Sequence, residues 1–388
     1  MKYALFLALI SLGINQTLVV AAIPTLMTWS EQTPNSPSLG VLVLAVNLNL
    51  VSYWFGASRW GSVAKKLGVT RTLHIAALGF ISANLLFVAT FYSESPHIWQ
   101  IGVCRILVGA FSCAFLPMAQ MLLAANNDAT SAALSRLSSA LTLGRLIGPS
   151  LLFLPVSFEY LLLLPVVMIL PVLFSRFDIE FVQTPLGTEQ ELVTIRDRQY
   201  FIYASAIMTT AIVAVFQFYA LEFLNLKGYR GEQGSDMYAS LMLATSVLLI
   251  LYQVRVIPLL SQRRPELFLP ILLFALMCGS TTLLVFGEFW WGLGLSLLGL
   301  IFAISGLPAW YTARLLASEE NTVKQAKLSG YLTRAHTTGH IIGTGGASLF
   351  LHQQWTLTFL IAAFSIALLF CASRLHLLTN EPEQIKTY

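Results

Sequence analysis

Runs of apolar residues about 18–25 long recur from one end of this chain to the other, and each is long enough for a helix to cross the ~30 Å hydrocarbon core of a bilayer. Twelve segments read this way: 3–27, 39–63, 71–92, 98–124, 133–156, 159–176, 200–224, 236–259, 267–286, 289–313, 328–351 and 355–374. Turn-forming clusters separate them, among them Pro34-Asn35-Ser36-Pro37 and Gln262-Arg263-Arg264-Pro265. Lipid-exposed backbone must satisfy its own hydrogen bonds, so spans of this length are helices. The expected fold is an all-α integral membrane protein with twelve transmembrane helices. Of the 388 residues only 10% are charged, against about 25% in soluble domains. That excludes a soluble enzyme, a nucleic-acid binder and a secreted module.

The charges orient the chain. With the N-terminus in the cytoplasm, sixteen of the 22 basic residues fall on the inner side, and only Lys227 and Arg230 fall outside. Short inner loops carry such an excess of Lys and Arg. Both termini are then cytoplasmic, and compact loops suit a bacterial inner membrane. Cys104, Cys113, Cys278 and Cys371 lie in apolar runs without a paired spacing, so no disulfide framework is expected.

Two stretches repeat at half the chain length. Leu116-Pro117 is echoed by Leu307-Pro308. Leu137-Ser-Ser-Ala-Leu-Thr-Leu-Gly-Arg-Leu-Ile-Gly148 is echoed by Leu332-Thr-Arg-Ala-His-Thr-Thr-Gly-His-Ile-Ile-Gly343. Transporter folds are often internal duplications. The reading is two pseudo-symmetric six-helix bundles, 1–176 and 200–388, joined by a polar linker at 177–199.

Ionisable and polar side chains at bilayer depth are the functional candidates. Arg105, Arg145, Arg334, His336 and His340 lie within spans, as do Asn15, Gln16, Asn47, Gln120, Gln217 and Glu222. The third, sixth, ninth and twelfth spans carry no central charge, as expected of helices that face lipid. His336 and His340, at i and i+4, share a helix face. They lack the Glu of H-E-x-x-H and a third ligand, so proton carriage, substrate contact or packing is favoured over metal binding.

The local motifs resemble those of the major facilitator superfamily, over the whole chain. After the second span, Gly61-Ser-Val-Ala-Lys65-Lys66-Leu-Gly68-Val-Thr-Arg71 is similar to the family's G-x-L-A-D-R-x-G-R-K loop, with Lys65 where the Asp stands. In the family that Asp joins a charge relay that tunes the inward–outward equilibrium. Arg105-Ile-Leu-Val-Gly109 resembles R-x-x-x-G, whose Arg is associated with proton coupling. Gly144-Arg-Leu-Ile-Gly148-Pro149 resembles the G-x-x-x-G-P of the drug and metabolite:proton antiporter branch. Small residues four apart let helix backbones approach, and Pro149 adds a kink. Gly339 and Gly343 repeat the spacing in the second half, where the glycines serve a gate or close packing.

Arg105 therefore has two open readings: a coupling residue, or a group bonding carbonyls at the kinked end of a neighbouring helix. Arg145 is a substrate or coupling contact, or a carbonyl cap. The span interiors hold several cationic groups and one acid, Glu222, which favours anions over lipophilic cations. The expectation is a secondary transporter, not an enzyme. It would work by alternating access as a monomer, exporting a small anionic or amphipathic compound (a citrate-type siderophore, an organic acid or a drug) for protons. Proton-coupled import is the main alternative, and a non-transporting receptor or scaffold the alternative of another class. No cofactor beyond a proton gradient is called for. The lipid bilayer and a small-molecule substrate are the partners, with no nucleic acid.

Overall fold

A computed structural model describes residues 3–31, 38–56, 59–92, 97–125, 131–177, 197–317 and 322–380. All regular structure there is helical: α1 (Tyr3–Ala21), α2 (Ile23–Glu31), α3 (Leu39–Asn47), α4 (Asn49–Gly56), α5 (Trp60–Leu67), α6 (Val69–Thr90), α7 (Ile98–Ser112), α8 (Phe115–Ala125), α9 (Ser131–Ser150), α10 (Phe158–Leu161), α11 (Leu163–Ile169), α12 (Asp197–Leu226), α13 (Gly231–Leu251), α14 (Ile257–Arg263), α15 (Pro265–Phe286), α16 (Trp290–Ala317), α17 (Thr322–Phe350) and α18 (Gln354–Asn380). Among the described residues nine helical segments are long and apolar enough to cross a membrane, and Ser139–Phe153 and Phe158–Val172 are shorter apolar ones. With α17, whose polar residues dilute its hydropathy, they account for the twelve spans. The chain is an all-α integral membrane protein.

Several spans are broken within their length, and proline accounts for most of the breaks. Proline has no N–H for the carbonyl four residues back, and its ring crowds that turn. The fourth span parts at Cys113–Ala114, four and three residues before Pro117. The sixth parts at Leu162, just before Pro165, and closes with a 3-10 turn at Leu170–Val172 around Pro171. Pro149 lies within α9, which ends at Ser150 and runs into a 3-10 turn, Leu151–Phe153. The eighth span carries a π-helical turn, Tyr252–Val256, just before Pro258. The second span breaks at Leu48 without a proline, between Asn47 and Asn49.

By contacts the chain divides into two compact units. Unit 1 is Met1–Glu189 with Leu224–Ala244, and unit 2 is Gln190–Phe223 with Thr245–Tyr388. In unit 1 the core lies around α1, whose Leu5, Leu9, Ile14 and Leu18 are fully buried. Ser11 ties it to α11 by donating to the Pro165 carbonyl at 2.7 Å. The start of α13 is held to α2, since Thr25 N–H donates to Ser235 Oγ at 3.1 Å and the two hydroxyls meet at 2.7 Å. In unit 2, α15 and α18 are linked by the buried Ser280–Ser365 hydroxyl pair, 2.7 Å apart.

Candidate functional site

The glycine motifs do the same physical job in each unit. In unit 1, a Cβ on Gly144 would overlap the Ile10 carbonyl and Gly13, and one on Gly148 would overlap Thr17, Ile14 and Leu18. In unit 2, Gly339 lies as closely against Ile207 and Thr210, and Gly343 against Ala211 and Ala214. Each partner on α12 stands 197 residues after its counterpart on α1. The fifth span thus packs on the first as the eleventh packs on the seventh. Gly109 makes a third close approach, to the Asn49 backbone and Ser52 at the break of the second span.

That break is where Arg105 acts. The guanidinium is 1% exposed. Its Nε donates to the Val46 carbonyl at 2.7 Å, and Nη1 donates to Asn15 Oδ1 at 3.0 Å. Asn15 Nδ2 in turn donates to Asn84 Oδ1, and Asn84 Nδ2 donates to the Phe80 carbonyl at 2.8 Å. Four helices, α1, α3, α6 and α7, are therefore joined by one buried polar chain. Val46 is in the last turn of α3, where carbonyls lack helical partners and carry partial negative charge. A cation fits there without a carboxylate, and among the described residues Arg105 meets none. Asn47 lies beside this network but donates to the Val43 carbonyl of its own helix at 2.9 Å.

Arg145 contrasts with Arg105. It is solvent-exposed on α9, its Nη2 donates to Gln16 Oε1 at 3.4 Å, and Tyr53 lies within electrostatic reach. Both neighbours are neutral, so most of the guanidinium's donors remain for an incoming anion. Bidentate carboxylate or phosphate recognition is what a guanidinium does best.

In unit 2, His336 belongs to a packed cluster. Thr210 Oγ1 donates to the His336 carbonyl at 3.0 Å, and the His336 Nε2 lies 3.4 Å from the Tyr311 hydroxyl. Tyr311 is fully buried and lies in hydrogen-bonding reach of Thr209. Arg334, His340 and Gln217 are half-buried, and each has further interactions. Glu222 is buried on α12 beside His352, 3.5 Å away. The described residues contain no group of three His, Cys, Asp or Glu placed to hold a metal ion.

The loop motif forms α5 and the joint to α6. Gly68 takes φ 82° and ψ 155°, and its N–H caps the Ala64 carbonyl at 2.9 Å. That conformation is one a side chain resists. Lys66 and Arg71 are exposed, Gly61 is open to a Cβ, and Trp60 Nε1 donates to the Ala110 carbonyl at 2.8 Å. The side chains of Lys65 and Gln120 lie outside the described residues, as does most of the linker.

The sequence pattern brought forward Arg105, Asn15, Arg145 and Gln16 one by one, but not that they meet in pairs or what completes them. Asn84 lies in the third span, which carries no central charge, and it is fully buried. A lone Asn in an apolar run is the signal that could have found it. Tyr53, Tyr311 and His352 had no such signal, because each depends on a partner far along the chain.

The model of the Major Facilitator Superfamily matches residues 5–326. The chain belongs to that family. It is a membrane transporter, not an enzyme. Comparison with curated proteins gives no match. Among solved structures, the nucleoside transporter NupG superposes with a TM-score of 0.67 at 14% identity, over 98% of this chain and 100% of its own. A D-xylose–proton symporter gives 0.67 at 14% identity, over 94% and 96%. The human organic anion transporter MFSD10 gives 0.62 at 15% identity, over 96% and 98%. At such identities the likeness is one of fold.

Proposed function

We infer that this family member exports a small anionic or amphipathic compound, of the citrate-type siderophore, organic acid or drug class, in exchange for protons by alternating access. This reading places it in the exporter branch. The observation that carries it is Arg145: an exposed guanidinium in mid-span, hydrogen-bonded to Gln16 with Tyr53 in electrostatic reach, and with no carboxylate partner among the described residues. Arg334 adds a second cationic group within a span of unit 2. A lipophilic cation would meet repulsion at both, whereas a carboxylate gains charge-assisted hydrogen bonds.

Further parts of the reading follow from the sequence. The Lys and Arg bias supports cytoplasmic termini in a bacterial inner membrane. The repeated glycine contacts support bundles at 1–176 and 200–388 around a linker at 177–199, and the reading takes the protein to work as a monomer. Proton exchange calls for a carrier among His336, His340 and Glu222.

Flux of labelled citrate across vesicles of both orientations tests cargo and direction together. Arg145→Gln with Arg334→Gln should cut flux at least tenfold, the effect of about 1.4 kcal/mol. Undiminished flux in the double variant removes the anion site, and uptake driven into right-side-out vesicles by an inward proton gradient reverses the direction.

A further inference from the structure

An acid–base pair at one end of unit 2 stands apart from the arginine sites. Glu222 lies near the end of α12 with its side chain 1% exposed, and its Oε1 is 3.5 Å from Nδ1 of His352, whose side chain is 56% exposed. His352 sits in the turn between α17 and α18 with φ 77°, the single non-glycine residue of positive φ among those described. A side chain rarely adopts that conformation, although histidine does so more readily than most. Where it persists, the surroundings hold it, and such positions cluster at functional sites.

The neighbourhood mixes polar and apolar groups, and His352 brings it to solvent. Tyr219, one turn before Glu222, accepts a hydrogen bond from Gln354 Nε2 at 2.8 Å. Glu288, between α15 and α16, lies in electrostatic reach of Tyr219. A cavity of about 10 Å³, near the size of a single water, lies beside Tyr219 and Gln354, with Glu288, Leu283, Val285 and Trp355 in its wall; Glu222 and His352 are not part of that wall. Among the described residues, Tyr219 and Glu288 are titratable groups beside the pair, and Glu222 has a further interaction of its own. Lys227 and Arg230 follow in the chain past the end of α12.

Two states of such a pair compete. Imidazolium with carboxylate gains mutual attraction, while imidazole with carboxylic acid avoids a charge in the interior. With one partner buried and the other exposed, a proton from solvent reaches the pair through the imidazole.

We propose that Glu222 and His352 are the proton-carrying pair of this transporter. His352 takes a proton from solvent on its exposed ring and passes the Nδ1 proton to Glu222 Oε1. The N–H bond breaks with its electrons left on nitrogen, an O–H bond forms, and imidazolium and carboxylate become imidazole and carboxylic acid. The proposal rests on the proton exchange inferred above and chooses its carrier. His336, whose ring packs against Tyr311, is left to hold the helices together.

The test uses the full-length protein in lipid vesicles. Infrared difference spectra on acidification should show a carboxylic acid band that is lost in Glu222→Gln. If that variant does not fold, Glu222→Asp should shift the band. After a rapid pH drop, His352→Ala should protonate Glu222 at least about tenfold more slowly, and free imidazole should restore the rate. A purely structural histidine would not be rescued in this way. A band that survives Glu222→Gln, or does not move in Glu222→Asp, overturns the proposal, as does a wild-type rate in His352→Ala. In the same vesicles, citrate flux driven by a proton gradient should be lost in Glu222→Gln, and equal flux in both forms also overturns it. Wild type that moves no citrate counts against the cargo reading alone, because the infrared outcome still decides the pair.

Discussion

Replacing Gly343 by Ala tests the helix pairing of unit 2 most sharply, because a second glycine two residues on supplies the control. A Cβ on Gly343 would sit 2.6 Å from the Ala211 carbonyl oxygen and 2.8 Å from Ala214 Cβ, where ordinary contact begins near 3.4 Å. The Ala211 oxygen and the Ala214 Cβ are fixed to the backbone of α12, so neither can swing aside. The helices must part by roughly 0.6–0.8 Å, enough to forfeit about a quarter to a half of the dispersion energy along the seam. Overpacking of this kind costs about 1–3 kcal/mol. For a unit of this size, each kcal/mol lowers the midpoint by about 2–4 °C, so Gly343→Ala should lose roughly 2–12 °C. Gly345, on the same helix, has nothing within 4 Å of its missing Cβ. Gly345→Ala should be neutral or gain up to about 1 kcal/mol from helix propensity. Thermal unfolding in detergent, followed by tryptophan fluorescence, reads both. Equal losses at the two positions, or no loss at Gly343, would refute the claim that close backbone approach to α12 sets the requirement for glycine.

Three further outcomes are expected. Arg105→Met should destabilise unit 1 by about 2–5 kcal/mol, because the Val46 carbonyl and Asn15 lose a buried charged donor. The double-mutant cycle with Asn15→Leu should give a coupling of about 0.5–3 kcal/mol, and additive losses would dissolve the network. Gly68→Ala should cost about 1–3 kcal/mol at the α5–α6 joint through backbone strain, against little change for Gly61→Ala, by the same thermal assay. Trp60→Phe should cost about 1 kcal/mol by removing the bond to the Ala110 carbonyl, and an unaltered midpoint would argue that α5 is not anchored there.

Residues that look alike in the sequence do different things here. Arg105 and Arg145 are both mid-span arginines in family-like motifs, yet one is sealed among Val46, Asn15 and Asn84 while the other is exposed beside Gln16. Spacing along a helix settles which face a side chain takes. It does not settle whether a neighbouring helix closes over that face. Glu222 was legible as a rare intramembrane acid, whereas nothing local marked His352, because 130 positions separate the partners.

By itself, the sequence determined the solvent, the helices and the family. Apolar length, turn chemistry, proline placement and the distribution of Lys and Arg are local properties, and bilayer thickness acts on each span separately. Tertiary structure alone decided which polar groups meet, which glycines bear a neighbouring backbone, and where a charge is wet or buried. Those outcomes depend on contacts between helices distant in the chain. In lipid such contacts are selected by close packing and hydrogen bonding, and the apolar composition that inserts the helices leaves the choice of partner open.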